Sequence, residues 1–341
     1  MTTTTLSDAA LSEQYAIMRD WNAVRFDGSQ SGHVESYFIK LNSPDERRAL
    51  WLKATILKKH GFEAVAEAWA IAFERGAPSV GAKNETPFVD AEFSSERYQV
   101  RVAQIEMENG RTRGSIEHEE RRIEWDLTFS TDVAALVPFP YMKMYVAKLP
   151  SSKLVTPNPD SAFSGHYSVN GARVEVDAWR GMQGHNWGRG HAEKYAWAHC
   201  NQWHETDDLV VEGLTARVRV GPILAPPLTL LCVRHRGVRF DLNMPGSLLR
   251  NRGDITPRSW RFTATGPRAR AEGELFAATD DFGGLYYENP DGAMTYCLNS
   301  KIAEARLKLE LGGRPPLTVT TRSAALEIGT RDPGHGVRML V

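Results

Sequence analysis

The chain has 341 residues, enough for two ordinary domains whose cores can bury large aromatic side chains. Its 41 basic and 42 acidic residues nearly cancel and no basic tract stands out, which argues against a nucleic-acid partner. Cys200, Cys232 and Cys297 are widely separated and odd in number, so they are expected to be free thiols in a reducing compartment rather than a disulfide set or a CxxC metal site.

The start, MTTTTLSDAALSEQYAIMRDW, lacks the basic segment and apolar run of an export signal. No later stretch approaches the roughly 20 apolar residues of a membrane span. The expectation is a cytoplasmic protein with no membrane span. Ser7 is placed to cap a short N-terminal helix with Leu11, Tyr15 and Met18 on one face.

After this helix the pattern changes. HVESYFIKL (33–41), ALWLKATIL (49–57), AVAEAWAIAFE (64–74), FVDAEF (88–93), YQVRVAQIEM (98–107) and RGSIEHEERRIEWDLTFS (113–130) are β-branched and aromatic, and many alternate in polarity at period two. Turn signals such as NSPDE and ENGRTRG separate them. The segment 148–165, KLPSSKLVTPNPDSAFSG, is rich in Pro, Ser and Asn and is read as the boundary between domains 1–150 and 151–341. Strands then resume, beginning with a hairpin turning at Asn170-Gly171. Evenly spaced strands without alternating long helices predict an all-β chain of two antiparallel barrels or sandwiches.

The chemistry concentrates in RGMQGHNWGRGH (180–191) and EKYAWAHCNQWHE (193–205), which hold four of the ten histidines. The glycines either supply positive φ in a tight connection or let the backbone deliver His185 and Trp187 to a barrel mouth. No GKS or GKT follows, so a phosphate loop is a poor reading. His185, His191, His199 and His204 match no compact metal-ligand spacing, and no metal is expected. No GxSxG elbow or papain-like cysteine is present.

A strand over 195–203 would place Tyr195, Trp197, His199, Asn201 and Trp203 on one face, with Ala196, Ala198, Cys200 and Gln202 on the other. The ring-rich face suits either a packed core strand or the wall of a pocket for an apolar ligand. Glu212 lies in the apolar run LVVEGLTARV. Buried there it would hold a proton near neutral pH; alternatively it pairs with Arg217 or Arg219. Glu35, Glu175 and Asp177 are weaker acid candidates.

GHNWG, the aromatic strand that follows it, and YENPDG ahead of CLNSKIA resemble the lipocalin-like superfamily that contains acyclic carotenoid hydratases, AttH-type proteins, tocopherol cyclases and fungal Diels-Alderases. The resemblance covers roughly 165–305, with GHVESYFIKL as an N-terminal echo. It implies two consecutive lipocalin-like β barrels, an apolar cavity, no organic cofactor, and hydration or cyclisation of isoprenoid- or polyketide-like molecules. In the hydratases a His-x-Trp pair sits at the catalytic centre with a Tyr-x-Asp pair a short strand later. His185 and Trp187 match the first pair, whereas the second is replaced by Val210-Val211-Glu212, which keeps an acid and loses the tyrosine.

The expected catalytic set is therefore His185, Trp187 and Glu212, with Tyr195, Trp197, His199, Asn201 and Trp203 binding a hydrophobic small molecule. The alternatives are a non-catalytic carrier with the same cavity and a metal enzyme using the histidines.

Overall fold

The computed structural model describes residues 20–147, 149–217, 219–220, 223–224 and 226–341. The N-terminal helix expected around Ser7 lies outside them. The architecture is all-β, two large curled antiparallel sheets that follow one another along the chain.

The first sheet contains β1 (His33–Asn42), β2 (Arg48–Lys58), β3 (Val65–Glu74), β4 (Val80–Pro87), β5 (Glu92–Phe93) and β6 (Gln99–Val102). It continues with β7 (Ile105–Glu108), β8 (Arg111–His118), β9 (Arg121–Phe129), β10 (Ser152–Val169) and β11 (Ala172–Gly188). Its order, β4-β3-β2-β1-β11-β10-β9-β8-β7-β6-β5, brings β11 back beside β1.

The second part of the chain contributes β12 (Lys194–Cys200), β13 (Leu209–Arg217), the small pair β14 (Arg219–Val220) and β15 (Ile223–Leu224), β16 (Leu228–His235) and β17 (Val238–Asp241). Then come β18 (Arg252–Ile255), β19 (Ser259–Thr265), β20 (Ala269–Phe276), β21 (Gly283–Glu288), β22 (Met294–Leu311) and β23 (Leu317–Thr330). The second sheet runs β17-β16-β13-β12-β23-β22-β20-β19-β18, with β21 also paired to β22.

Burial along each strand shows what it packs against. In β9, Ile123, Trp125, Leu127 and Phe129 are buried while the residues between them reach solvent, the pattern of a sheet wet on one side. Every residue of β1 is buried, and nearly every residue of β2. One face of these strands, with Tyr37, Ile39, Leu41, Leu50 and Leu52, fills the first core. The other face, with Phe38, Trp51 and Trp69 of the neighbouring β3, meets residues of the second sheet such as Trp197, Leu285 and Tyr287. The second core is separate and gathers Ala196, Ala198, Cys200, Trp260, Phe262 and Leu307. A seam between the sheets thus forms a third buried layer.

The polar segment 148–165, expected as a boundary, is strand from Ser152 onward, and the chain passes from first sheet to second only between Gly188 and Lys194. Pro157 and Pro159 do not break β10, because its register against β11 shifts between Val155 and Asn158 and again before Ser161. These irregularities accept residues that cannot donate to a ladder. The hairpin at Asn170-Gly171 forms as expected, with positive φ at both residues.

RGMQGHNWG is not a tight connection either: it is the last part of β11. Two glycines in the seam are needed for space rather than for φ. A Cβ on Gly184 would enter the Phe38 ring, and one on Gly329 would enter the ring of Tyr195. The Gly329→Ala variant is expected to lose about 1–3 kcal/mol of stability in urea denaturation, the usual cost of overpacking.

Candidate active site at the seam

β12 splits by parity as its sequence implies, and its large face meets the other sheet. Ala196, Ala198 and Cys200 line the interior of the second sheet, and Trp197 looks outward into the seam. Asn201 continues the seam face: its amide donates to the Gly181 carbonyl at 2.8 Å and its oxygen accepts from Lys40 Nζ at 2.9 Å. Trp203 departs from the expectation. The strand ends at Cys200, and the Trp203 indole turns into the second core and donates to the Leu209 carbonyl at 3.1 Å.

Glu212 of β13 sits in register with His199 and also faces the seam. It is 1% exposed. Trp197 Nε1 donates to Oε1 at 3.0 Å, and Thr156 Oγ1, from β10 of the first sheet, lies 2.9 and 2.8 Å from the two carboxyl oxygens. Among the described residues its hydrogen-bond partners include no basic group, so the expected alternative of an arginine pair with Arg217 is not formed; the Arg219 side chain is outside the described set. Burial pushes the carboxyl up to about 7, against the opposing pull of the Thr156 and Trp197 hydrogen bonds.

His199 is fully buried. Its Nε2 donates to the Pro159 carbonyl at 2.9 Å, while Nδ1 has no partner among the described residues. Burial first, then the nearby Lys40 charge, holds this ring well below the ordinary histidine range. It is therefore neutral, with its proton on Nε2 and a free lone pair on Nδ1. An undissociated carboxyl and a neutral imidazole stand on adjacent strands.

His185 belongs to a different polar centre. Its Nδ1 lies 2.7 Å from the Trp21 carbonyl and its Nε2 2.9 Å from Glu35 Oε1, so both nitrogens face acceptors. It stacks on Tyr37 at 4.2 Å, and Trp187 lies 4.8 Å away. Glu35 also accepts from the backbone N–H groups of Arg25 and Phe26, from His33 and from Tyr37. Burial alone would raise its pKa, but the hydrogen bonds from His185 and His33 outweigh it and hold the carboxyl at about 2.

The expected catalytic trio is thus not assembled in one place. Val155 pairs with His185, and the next residue, Thr156, holds Glu212. Consecutive strand residues point to opposite faces, so the two centres flank β10. Trp187 packs with Val155 and Tyr145 beside the His185 centre. Tyr195 lies flat over Gly329.

The other histidines scatter. His191 is hydrogen-bonded to Asn289 and stacked on Tyr287, and His204 pairs with Glu46 at the surface. Among the described residues no group of three or more His, Cys, Asp or Glu is arranged to hold a metal ion. Glu175 and Asp177 are exposed. A cleft of about 410 Å³ lined by Arg101, Gln104, Arg113 and Trp125 lies on the first sheet and includes none of the expected site residues.

Sequence reasoning missed Thr156 and the seam lysines, Lys40, Lys53 and Lys301, which are 0%, 5% and 0% exposed. The signal was available, since each lysine interrupts an apolar strand: FIKL, WLKAT and NSKIA.

Two curled antiparallel sheets with a polar, ring-lined seam define the lipocalin-like two-barrel class. The chain belongs to the tocopherol cyclase-like family, whose sequence model matches residues 155–330. An uncharacterized protein of Mycobacterium tuberculosis is 27% identical over 306 residues, covering 88% of this chain and 87% of its own. Among solved structures, CghA with Sch210972 aligns at a TM-score of 0.60 and 10% identity, covering 97% of this chain and 96% of its own. An AttH candidate of Nitrosomonas europaea aligns at 0.54 and 13% identity, over 92% and 98% of the two chains. Kievitone hydratase of Nectria haematococca aligns at 0.53 and 12%, over 92% and 97%. These similarities establish a shared fold. No helix of the described residues is long and apolar enough to cross a membrane.

The Glu212 shift has a sign that denaturation can read. Between pH 4.5 and about 7 the folded carboxyl keeps its proton while the unfolded one has lost it, so stability falls as pH rises through this window. Relative to Glu212→Gln, wild type should lose roughly 3 kcal/mol between pH 4 and pH 8. Urea midpoints of the two proteins across that range check the difference.

Proposed function

We propose that this protein is an acid-assisted hydratase or cyclase of a hydrophobic, isoprenoid- or polyketide-like small molecule, with Glu212 as the proton donor and no organic cofactor. The observation that carries the reading is a buried carboxyl whose hydrogen-bond partners among the described residues are the neutral donors Thr156 and Trp197, in register with a neutral histidine on the adjacent strand. Membership of the tocopherol cyclase-like family supports it. The free, buried cysteines fit a reducing, cytoplasmic location.

In this scheme the Glu212 O–H protonates one carbon of an alkene, and the π pair becomes the new C–H bond. The Trp197 ring stabilises the resulting cation. Water, or a hydroxyl of the substrate in a cyclisation, adds its oxygen to the cationic carbon while His199 Nδ1 takes its proton. Transfer of that proton back to Glu212 restores both groups. Tyr195 and Asn201 flank the binding face on either side. His185 and Glu35 act as positioning residues, because their hydrogen bonds are spent on each other, on His33 and Tyr37 and on the backbone, and Trp187 packs beside them.

Incubation with polyene alcohols and polyketide olefins, followed by mass spectrometry for a gain of water or for an isomeric product, tests this directly. Glu212→Gln is expected to lower turnover by about 10²–10⁴-fold with the fold intact. Turnover by wild type should decline as pH rises through about 7, where Glu212 loses its proton. Normal turnover in Glu212→Gln would end the proposal. Tight ligand binding with no product in any variant would favour a carrier.

A further inference from the structure

The seam holds a second set of groups, on the side away from Glu212. Lys53 of β2 is in register with Trp69 of β3, and Trp51 lies two residues earlier on the same face. The Lys53 ammonium sits 3.8 Å from the centre of the Tyr287 ring and 5.9 and 5.8 Å from those of Trp51 and Trp69. It is 5% exposed. Among the described residues it has no hydrogen-bond acceptor and no ion pair.

The neighbouring carboxylates are already engaged. Glu67 pairs with Lys83 at 2.6 Å and Glu327 with Lys301 at 2.8 Å. Lys40, the other buried lysine of the seam, bonds the oxygens of Asn42 and Asn201. Lys53 is thus the exception among the seam lysines.

Its surroundings share the same deficit. The indole N–H groups of Trp51 and Trp69 and the side-chain N–H₂ of Asn299 are buried without a partner among the described residues. All of these groups are donors and none is an acceptor. A buried ammonium and several N–H groups unmatched among the described residues form a set that an acceptor from outside the protein would complete. Ala49, Ile71 and Leu285 add apolar surface beside it.

We infer that this part of the seam is an anion site, in which Lys53 and the Trp51 and Trp69 indoles hold the carboxylate of an organic acid with an apolar body. The rings place the ammonium by cation–π attraction without consuming its hydrogen bonds. Burial lowers the Lys53 pKa, more than Glu327, Cys297 and Glu67 raise it, as befits a cation short of a counter-charge.

The site also lies on a line to the proton donor. Lys301 Nζ is 5.6 Å from the Trp51 ring centre and 5.5 Å from that of Trp197, which donates to Glu212. A ligand anchored at Lys53 would reach toward Glu212 along the seam, a step that rests on the function proposed above.

Farnesoic acid and farnesol, titrated against the full chain by tryptophan fluorescence, differ only in the acid group that the site would read. Wild type is expected to bind the acid at least ten-fold more tightly than the alcohol. Lys53→Met should remove that preference and raise the ligand-free Tm, since an unpaired buried ammonium is lost, while Lys53→Arg should keep most of the preference. Absence of acid preference in wild type, including absence of binding, overturns the inference. So does a preference that persists in Lys53→Met. Glu212→Gln should keep the acid preference; if it does so while turnover is unaffected, the proposed reaction fails and the anion site stands.

Discussion

The structure depends on how two sheets bury charge against each other. Because the two cores are filled largely with rings and aliphatic side chains, Lys40, Lys53, Glu212, Lys301 and Glu327 are left in the seam, whereas Glu35 lies with His185 and Tyr37 on the first-core face. An unpaired charge in such a layer costs several kcal/mol, and pairing offsets this only when the geometry is good. Lys40 meets this demand through two asparagines and Lys301 through Asn299 and Glu327. Glu212 meets it by keeping its proton. Lys53 meets it only in part, by ring contact. The groups with chemical potential are therefore those for which pairing is incomplete.

Glu35 and Glu212 show how far surroundings decide the behaviour of one residue type. Both are almost fully removed from solvent. Glu35 receives hydrogen bonds from two backbone N–H groups, two histidines and a tyrosine, and remains a carboxylate. Glu212 receives one from Trp197 and one from Thr156, too few to offset desolvation. The first is an acid held charged by many donors, and the second an acid held neutral by few. Only the second has a proton to give near neutral pH.

Much of the fold was legible in the sequence because it rests on period-two alternation. The strands of 98–130, the hairpin at Asn170-Gly171 and the parity of Tyr195, Trp197, His199 and Asn201 all follow local rules. What local rules do not carry is the identity of the space beyond a strand. Parity sorted β12 into a large and a small face but gave no sign that the large face meets another sheet. The same limit applies to 148–165, where proline content suggested a linker and the bulges of β10 absorb it. The Glu35–His185 and Lys40–Asn201 contacts join residues far apart in the chain, so no pattern within either segment reveals them. The lysines inside FIKL and WLKAT were the readable trace of the seam. A strand buried on only one face would have turned those lysines to solvent.

The separation of His185 from Glu212 leaves the question of what links the two centres, and β10 supplies the physical answer. His185 and Glu35 tie β11 to β1 and to the Trp21–Phe26 segment, which fixes the position of β11. β10 pairs with β11 at Val155↔His185, and its register then shifts before Asn158. Thr156 stands between the fixed point and the irregularity, and among the described residues its hydroxyl is one of two groups that hydrogen-bond the Glu212 carboxyl. Its backbone is also bridged to Leu136 on the other side, so its freedom is small. The imidazole and the acid are thus linked through the placement of one hydroxyl. In the function proposed above, the His-x-Trp stretch bears on how Glu212 is oriented rather than on its proton.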